Sequence, residues 1–282
     1  MPLPSDFHFS QGSLQEYVDC PRRFQLCRVH RLRWPAVEAE PALENERRLQ
    51  RGAAFHRLIH QHLVGIPAQP LSESVTDSDL RRWWRNYLES GPADLPSQHY
   101  PEIGLSAPVG AFRLVAQYDL VAVEPGERAV IVDWKTNHRR PSRQSLSDRL
   151  QSRVYPYLLV RAGASLNGGE KVRPEQVTMA YWFANFPEKP ERFAYHSDQY
   201  DADRRYLEGL VAKIEESVEG CSEDEAFPRT DDQRRCRHCH YRSLCHRGVE
   251  AGPLDERSWE DREEEGFDFD LDFEQIVELD CG

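Results

Sequence analysis

Apolar positions change their spacing along this chain, and each change predicts a different kind of element. In "SLQEYVDCPRRFQLCRVH" (13–30) Leu14, Tyr17, Val18 and Phe24 recur at helical intervals, with Pro21 set to kink or interrupt the helix. "ALENERRLQRGAAFHRLIHQHL" (42–63) predicts a second helix, and "DSDLRRWWRNYLES" (77–90) a third with Asp77 or Ser78 as N-cap. Residues 64–76 and 91–97 hold Gly, Pro and Ser and are expected to be loops. The pattern then turns β-branched and nearly continuous. "FRLVAQYDLVAV" (112–123) and "AVIVDWKT" (129–136) are strands joined by "EPGER", a hairpin signal, with "EIGLSAPV" (102–109) as a preceding strand. "SLSDRLQSRVYPYLLVRAG" (145–163) returns to helix, "VTMAYWFAN" (177–185) to strand and "ERFAYHS" (191–197) to a short edge strand. A long amphipathic helix over 198–220 precedes a Cys/Arg/His-rich stretch (226–247). The order of elements predicts a mixed α/β fold.

Composition refines this picture. The 282 residues are 39% hydrophobic and include six Trp and twelve Phe, enough for a sizeable core. The absence of a membrane-length apolar run and of a signal-like start leads us to expect a soluble, cytoplasmic protein. The net charge of −12 lies entirely in residues 250–282, which hold fourteen acids and two Arg, so residues 1–249 are neutral overall. Acidity therefore does not exclude a basic groove in the body. We expect 1–249 to fold as one domain and 250–282 to form a disordered acidic tail, whose Phe/Leu–Asp alternation also suits docking on a partner's sheet edge.

The candidate chemistry starts where charge interrupts a buried run. In "AVIVDWKTN", Asp133 and Lys135 point to one face of a strand and Trp134 to the other. A turn centred on Gly126 makes antiparallel partners sum to 252, which sets Asp119 opposite Asp133. Two opposed carboxylates repel unless a cation lies between them, and Mg²⁺ or Mn²⁺ suits such oxygen ligands. An isolated D-x-K more often faces water on a surface hairpin. Here both strands carry Asp within otherwise apolar runs. The histidines of "HRLIHQH" (His56, His60, His62) also fit a solvated or zinc-binding cluster, with His60 an alternative ligand to His56.

Cys236, Cys239 and Cys245 follow C-x₂-C-x₅-C, and three thiolates in ten residues need a fourth ligand. Cys20 is the candidate, Cys27 its rival, and His238, His240 and His246 lie nearby. Spacing leaves Zn²⁺ and a [4Fe–4S] cluster both open. Five Arg between 22 and 33, Arg22 and Arg23 among them, flank Cys20, and five more lie between 234 and 247. If the Cys segments meet, these groups converge on one basic surface fit for phosphate.

Several motifs occur together and in order. "RGAAFHRLIH" carries G-x-x-x-H at Gly52 and His56. "QYDLVAV…VIVDWKTN" carries the Asp and D-x-K, and "QSRVY" carries Q-x-x-x-Y at Gln151 and Tyr155. "FSQGSLQEYVDCPRRF" carries S-x-x-S-L-x-x-Y-x-x-C-P-x-x-F. The chain thus resembles the RecB-like branch of the PD-(D/E)xK nuclease superfamily, in its AddB-type and CRISPR-associated forms, over most of residues 9–247. The resemblance implies a restriction-endonuclease-like core closed by a four-cysteine iron–sulfur cluster at Cys20, Cys236, Cys239 and Cys245. It implies that His56, Asp119, Asp133 and the Trp134 carbonyl hold Mg²⁺ or Mn²⁺, that Lys135 positions the attacking water, and that Gln151 and Tyr155 line the DNA groove. The expected activity is hydrolysis of DNA phosphodiesters, as an exonuclease on single strands or duplex ends, in repair, recombination or defence, with a helicase or complex partner reached through the tail. The rival readings are a catalytically weak iron–sulfur module that binds DNA or scaffolds a repair complex, and a zinc-stabilised interaction protein.

Overall fold

A computed structural model describes residues 3–4, 6–32, 40–220, 226–236 and 239–248, with the backbone alone for 40–46. The acidic tail, Arg33, Arg237 and His238 lie outside the described residues. The strands are β1 (His8–Ser10), β2 (Gln98–Val109), β3 (Phe112–Glu124), β4 (Arg128–Lys135), β5 (Val177–Phe183) and β6 (Glu191–Ala194). The helices are α1 (Gln11–Asp19), α2 (Pro21–Phe24, continuing as a π turn over Gln25–Val29), α3 (Glu40–Leu63), α4 (Ala68–Ser74), α5 (Ser78–Ser90), α6 (Arg143–Asp148), α7 (Leu150–Ala162), α8 (Ser197–Glu219) and α9 (Gln233–Cys236).

All six strands form one mixed sheet. β2, β3 and β4 make an antiparallel meander, β4 and β5 are parallel across the α6–α7 connection, and β6 closes the edge antiparallel to β5. The mixed α/β architecture with flanking helices is as expected. The hairpin register is as expected from Glu124–Arg128 to Leu120–Val132, about a turn in which Gly126 takes φ +79°, a conformation that suits glycine, but the ladder ends there and does not include the expected Asp119–Asp133 pair. The short β1 was not expected. It pairs in parallel with residues 113–115 of β3 and buries Phe9 completely, so distant pairing rather than local propensity makes it a strand.

Helices cover both faces. On one, α1, α7 and α8 bury Leu14, Val154, Leu158, Leu207 and Ile214 against Tyr118, Val121, Ile131 and Tyr181. On the other, α3, α4 and α5 bury Phe55, Ile59, Trp83 and Trp84 against Leu120, Val132, Trp134 and Trp182. Two expectations need correction. Residues 64–76 are not all loop: α4 forms because Leu71 and Val75 enter the second core and Trp84 Nε1 donates to Ser72 Oγ at 2.9 Å. The helix expected over 145–163 is two helices, broken where Arg149 turns extended (φ −67°, ψ 142°). Ser147 and Ser152 hydroxyls donate to the carbonyls of Gln144 and Leu146, bonds that compete with a continuous helix. Pro156 does not end α7, which runs on to Ala162.

The sheet is distorted at one place. On β3, Leu114, Ala116 and Tyr118 face the first core, but beyond them Val121 and Val123 do, so the alternation slips at Asp119–Leu120. On β2, Leu105, Ala107 and Ile103 face that core while Tyr100 does so from the opposite parity. Between the slips stands Glu102, with φ +51°. The β2 register keeps Ile103 on Tyr118 and Pro101 on Leu120, which sets Glu102 across from Asp119. On β3's other edge β1 reaches only to Val115 and β4 begins only at Leu120. Distortions of this kind re-aim side chains beside functional sites.

Candidate active site

The candidate side chains gather where β3 and β4 part beyond the Leu120–Val132 pair. Asp119, turned by the distortion, uses both oxygens. Oδ1 lies 3.0 Å from His56 Nδ1, presented by α3, and Oδ2 accepts the Trp134 backbone N–H at 2.8 Å. Glu102 completes a group: one ligand atom each from His56, Glu102 and Asp119 lie within 4.8 Å of one another. Sequence reading missed Glu102, which belongs to no motif and is brought in by the β2–β3 register. Asp133 stands outside that 4.8 Å group, although its charge reaches His56.

Asp133 and Lys135 occupy the same face of β4, as alternation requires, and are 5% and 7% exposed. Lys135 Nζ is 3.1 Å from Asp133 Oδ2, and Gln151 Nε2 donates to Asp133 Oδ1 at 2.6 Å. Gln151, expected along a DNA groove, is itself only 5% exposed and holds the carboxylate from the first turn of α7. Tyr155, one turn on, packs its ring 4.9 Å from that of Tyr118. The Trp134 ring packs into the second core against Trp182 and Tyr87, as expected from its place on the opposite face. His62 bonds to the Tyr87 hydroxyl at 3.3 Å and packs on Trp84, so its surroundings are not those of His56.

The protonation states follow from this crowding. Burial alone would depress His56, but the Asp119 carboxylate, by charge and hydrogen bond, lifts it to about 9, with help from Asp133 and Glu102. Burial and the Asp119 charge push Glu102 up to about 7. Burial also raises Asp133, and the Lys135 ammonium partly offsets this. Three carboxyl groups thus share their space with the His56 ring and the Lys135 ammonium. Imidazole nitrogen and hard carboxylate oxygens are the donors that divalent first-row and alkaline-earth ions take, so this set fits Mg²⁺ or Mn²⁺.

A second set of candidates lies at the joined ends of the chain. The Arg22 N–H donates to the Pro228 carbonyl at 3.3 Å, the Tyr241 hydroxyl donates to the Leu32 carbonyl at 2.6 Å, and Arg235 pairs with Asp19 at 2.6 Å. Phe24 and Phe227 stack, with ring centroids 6.5 Å apart. Burial raises the thiols of Cys236, Cys239 and Cys245, and each is raised further by Cys20. Burial and the Glu16 charge also raise the Cys27 thiol. Each of Cys236, Cys239 and Cys245 thus feels the charge of Cys20, while no three of these four thiols come within 4.8 Å of one another. Arg22 donates to Gln25, and Arg23 lies 4.0 Å from Glu16, which also holds Arg28.

The PD-(D/E)XK nuclease superfamily model matches residues 8–246, nearly the whole described region. The chain belongs to this superfamily. Among solved structures, this PD-(D/E)XK protein is similar to one from Eubacterium rectale named as a putative exonuclease. The identity is 10%, the TM-score 0.52, and the match covers 89% of this chain and 91% of that one, a likeness of fold. It also matches SSO0001 at 12% identity and TM-score 0.37, over 84% and 85% of the two chains. No curated protein matches the chain. Among the described residues no helix is long and apolar enough to cross a membrane.

Proposed function

We propose that the protein is a divalent-metal-dependent deoxyribonuclease of the RecB-like branch, acting on single strands or DNA ends in repair, recombination or defence. The observation that carries the reading is the joining of His56–Asp119 to Asp133–Lys135 at the opening between β3 and β4, in a chain of this superfamily. His56, Asp119 and Asp133, with the Trp134 carbonyl, would hold Mg²⁺ or Mn²⁺, and Glu102 is added to that set by its place beside His56 and Asp119. The ion, when bound, supplies charge for the phosphate oxygens and lowers the pKa of water.

The chain's own groups do the rest. Asp119 fixes the His56 ring and the Trp134 peptide, so the ligands from α3, β3 and β4 are oriented together. Lys135, held by Asp133, places a positive charge beside the attacked phosphate and orients the water. Gln151 keeps Asp133 turned toward the site. Cys20, Cys236, Cys239 and Cys245 would hold a [4Fe–4S] cluster that fastens the first helices to the C-terminal segment. The four thiols fit it by number, and the segments that carry them meet through Arg22–Pro228 and Arg235–Asp19. The test is digestion of end-labelled single- and double-stranded DNA with Mg²⁺ or Mn²⁺, beside Lys135→Ala. We expect metal-dependent cleavage that the variant loses by at least a hundredfold; equal activity would refute the mechanism.

A further inference from the structure

We propose that the turn after Lys135 and the facing parts of α3 and α5 form a subsite for backbone phosphates of the DNA strand, several nucleotides from the scissile bond. It rests on the nuclease reading above and adds where the strand lies.

The turn is fastened rather than loose. Asn185, just past β5, donates its Nδ2 to the carbonyls of Thr136 and Asn137, both at 3.0 Å. Its Oδ1 accepts from Trp83 Nε1 at 2.9 Å and from Arg82 at 3.1 Å, so the chain leaving Lys135 is tied to α5. Arg82 continues to Asp79 at 2.9 Å, and Arg51 on α3 reaches Asp79 and Asp77 at 3.1 Å each. The two carboxylates have a helix-capping place: Asp77 caps α5 by accepting the Leu80 N–H at 2.9 Å, and Asp79 sits in its first turn. They hold the two guanidinium groups in place and offset their charge.

His138 stands exposed on that turn. Its proton is disfavoured first by burial against its neighbours and then by Arg48, Arg82 and Arg51, against the opposing pull of Asp79. Three guanidinium groups and one imidazole, from three elements, thus act on one space. Arg48 lies eight residues before His56 on α3, about 12 Å along the axis, or three to four nucleotides of stacked strand. Guanidinium forks on two helices suit successive phosphate oxygens.

A second observation points to a ligand. Asn137, two residues past Lys135, is only 2% exposed, yet neither atom of its side-chain amide has a hydrogen-bond partner. Buried polar groups without partners are rare in folded proteins. The amide lies in the turn that borders the arginines, where a docked phosphodiester would supply what it lacks.

The experiment uses the full chain carrying Lys135→Ala, so that binding is read without cleavage. Anisotropy of a fluorescent single-stranded oligonucleotide is followed over a salt series for this parent and for Arg48→Gln/His138→Gln on it. We expect about tenfold weaker binding near 0.1 M salt and a slope of log affinity against log salt smaller by about 0.7 for each phosphate no longer neutralised. Arg48→Lys alone, which keeps the charge, should keep the parent's slope. Arg48→Glu alone, at a half-exposed helix position, should weaken binding more than Arg48→Gln alone, whatever becomes of the double variant. Parent-like affinity and slope in these variants would overturn the subsite. A parent that binds no DNA at any salt would overturn the nuclease reading, and the subsite with it.

Discussion

Gln151 on α7 donates its amide N–H to Asp133 on β4 at 2.6 Å, joining a helix start to the working end of the central strand. A hydrogen bond to a charged acceptor contributes about 1.5–3 kcal/mol. Removing it leaves a buried carboxylate that Lys135 alone must hold. Gln151→Ala should therefore lower kcat/KM about ten- to a hundredfold and raise the Mg²⁺ concentration for half activity, measured on end-labelled DNA. Unchanged metal dependence would show that Asp133 keeps its orientation without the amide.

His56 and Glu102 make the metal-free protein sensitive to alkali. His56 is lifted to about 9 from an ordinary 6.5, and Glu102 to about 7 from 4.5. Both folded values lie above the unfolded ones, so both groups contribute stability at low pH and lose it as pH rises. The Glu102 contribution is present below pH 4.5 and gone above 7; that of His56 is present below 6.5 and gone above 9. The thermal midpoint in chelator should fall from pH 5 to pH 9. Added Mn²⁺ competes with these protons, so its stabilisation should be greater at pH 8 than at pH 6. A chelated protein whose midpoint rises across that range would contradict the arrangement.

Much of the candidate site's placement was legible because its residues obey short periodicities. Asp133 and Lys135 share a face by strand alternation, Gln151 and Tyr155 lie one helical turn apart, and the 252-sum register follows from one glycine turn. Glu102 was not legible, since its approach depends on a distortion shared by two strands, which alternation hides. The same holds for β1, α4 and the break at Arg149. Each is decided by distant packing or by serine hydroxyls competing for carbonyls, and neither leaves a periodic trace. Gln151 was found by motif, but its burial against Asp133 required the α7–β4 geometry.

Glu102→Gln tests the residue that the sequence hid. The amide keeps the shape and the Gln117 contact at 3.2 Å but removes one negative charge from the His56–Asp119 pair. Calorimetric Mn²⁺ affinity should drop about tenfold or more, and the alkaline loss of stability should begin at higher pH. Equal Mn²⁺ affinity would remove Glu102 from the donor set.

Cys20→Ser tests the joined ends. Protein purified without oxygen should contain about four iron atoms per chain and absorb broadly in the visible, and the variant should lose both. Because the cluster would tie α1–α2 to residues 226–248, the thermal midpoint should fall before metal-dependent cleavage does. Zinc-loaded, colourless protein would replace the iron–sulfur assignment.

Trp134 shows how the site leans on the opposite core. Its side chain is 3% exposed, with its ring centroid 5.7 Å from Tyr87 and 5.9 Å from Trp182, while its backbone N–H holds Asp119. Trp134→Ala would leave a large cavity beneath the candidate metal ligands and cost about 3–5 kcal/mol. In a domain of this size that lowers the thermal midpoint by roughly 6–20 °C. Trp134→Phe should lose less than half as much. Since the peptide bond itself is kept, the surviving folded fraction of Trp134→Phe should bind Mn²⁺ within a few-fold of the parent. A large loss of Mn²⁺ affinity at unchanged stability would mean that the indole shapes the site directly instead of supporting it from the core.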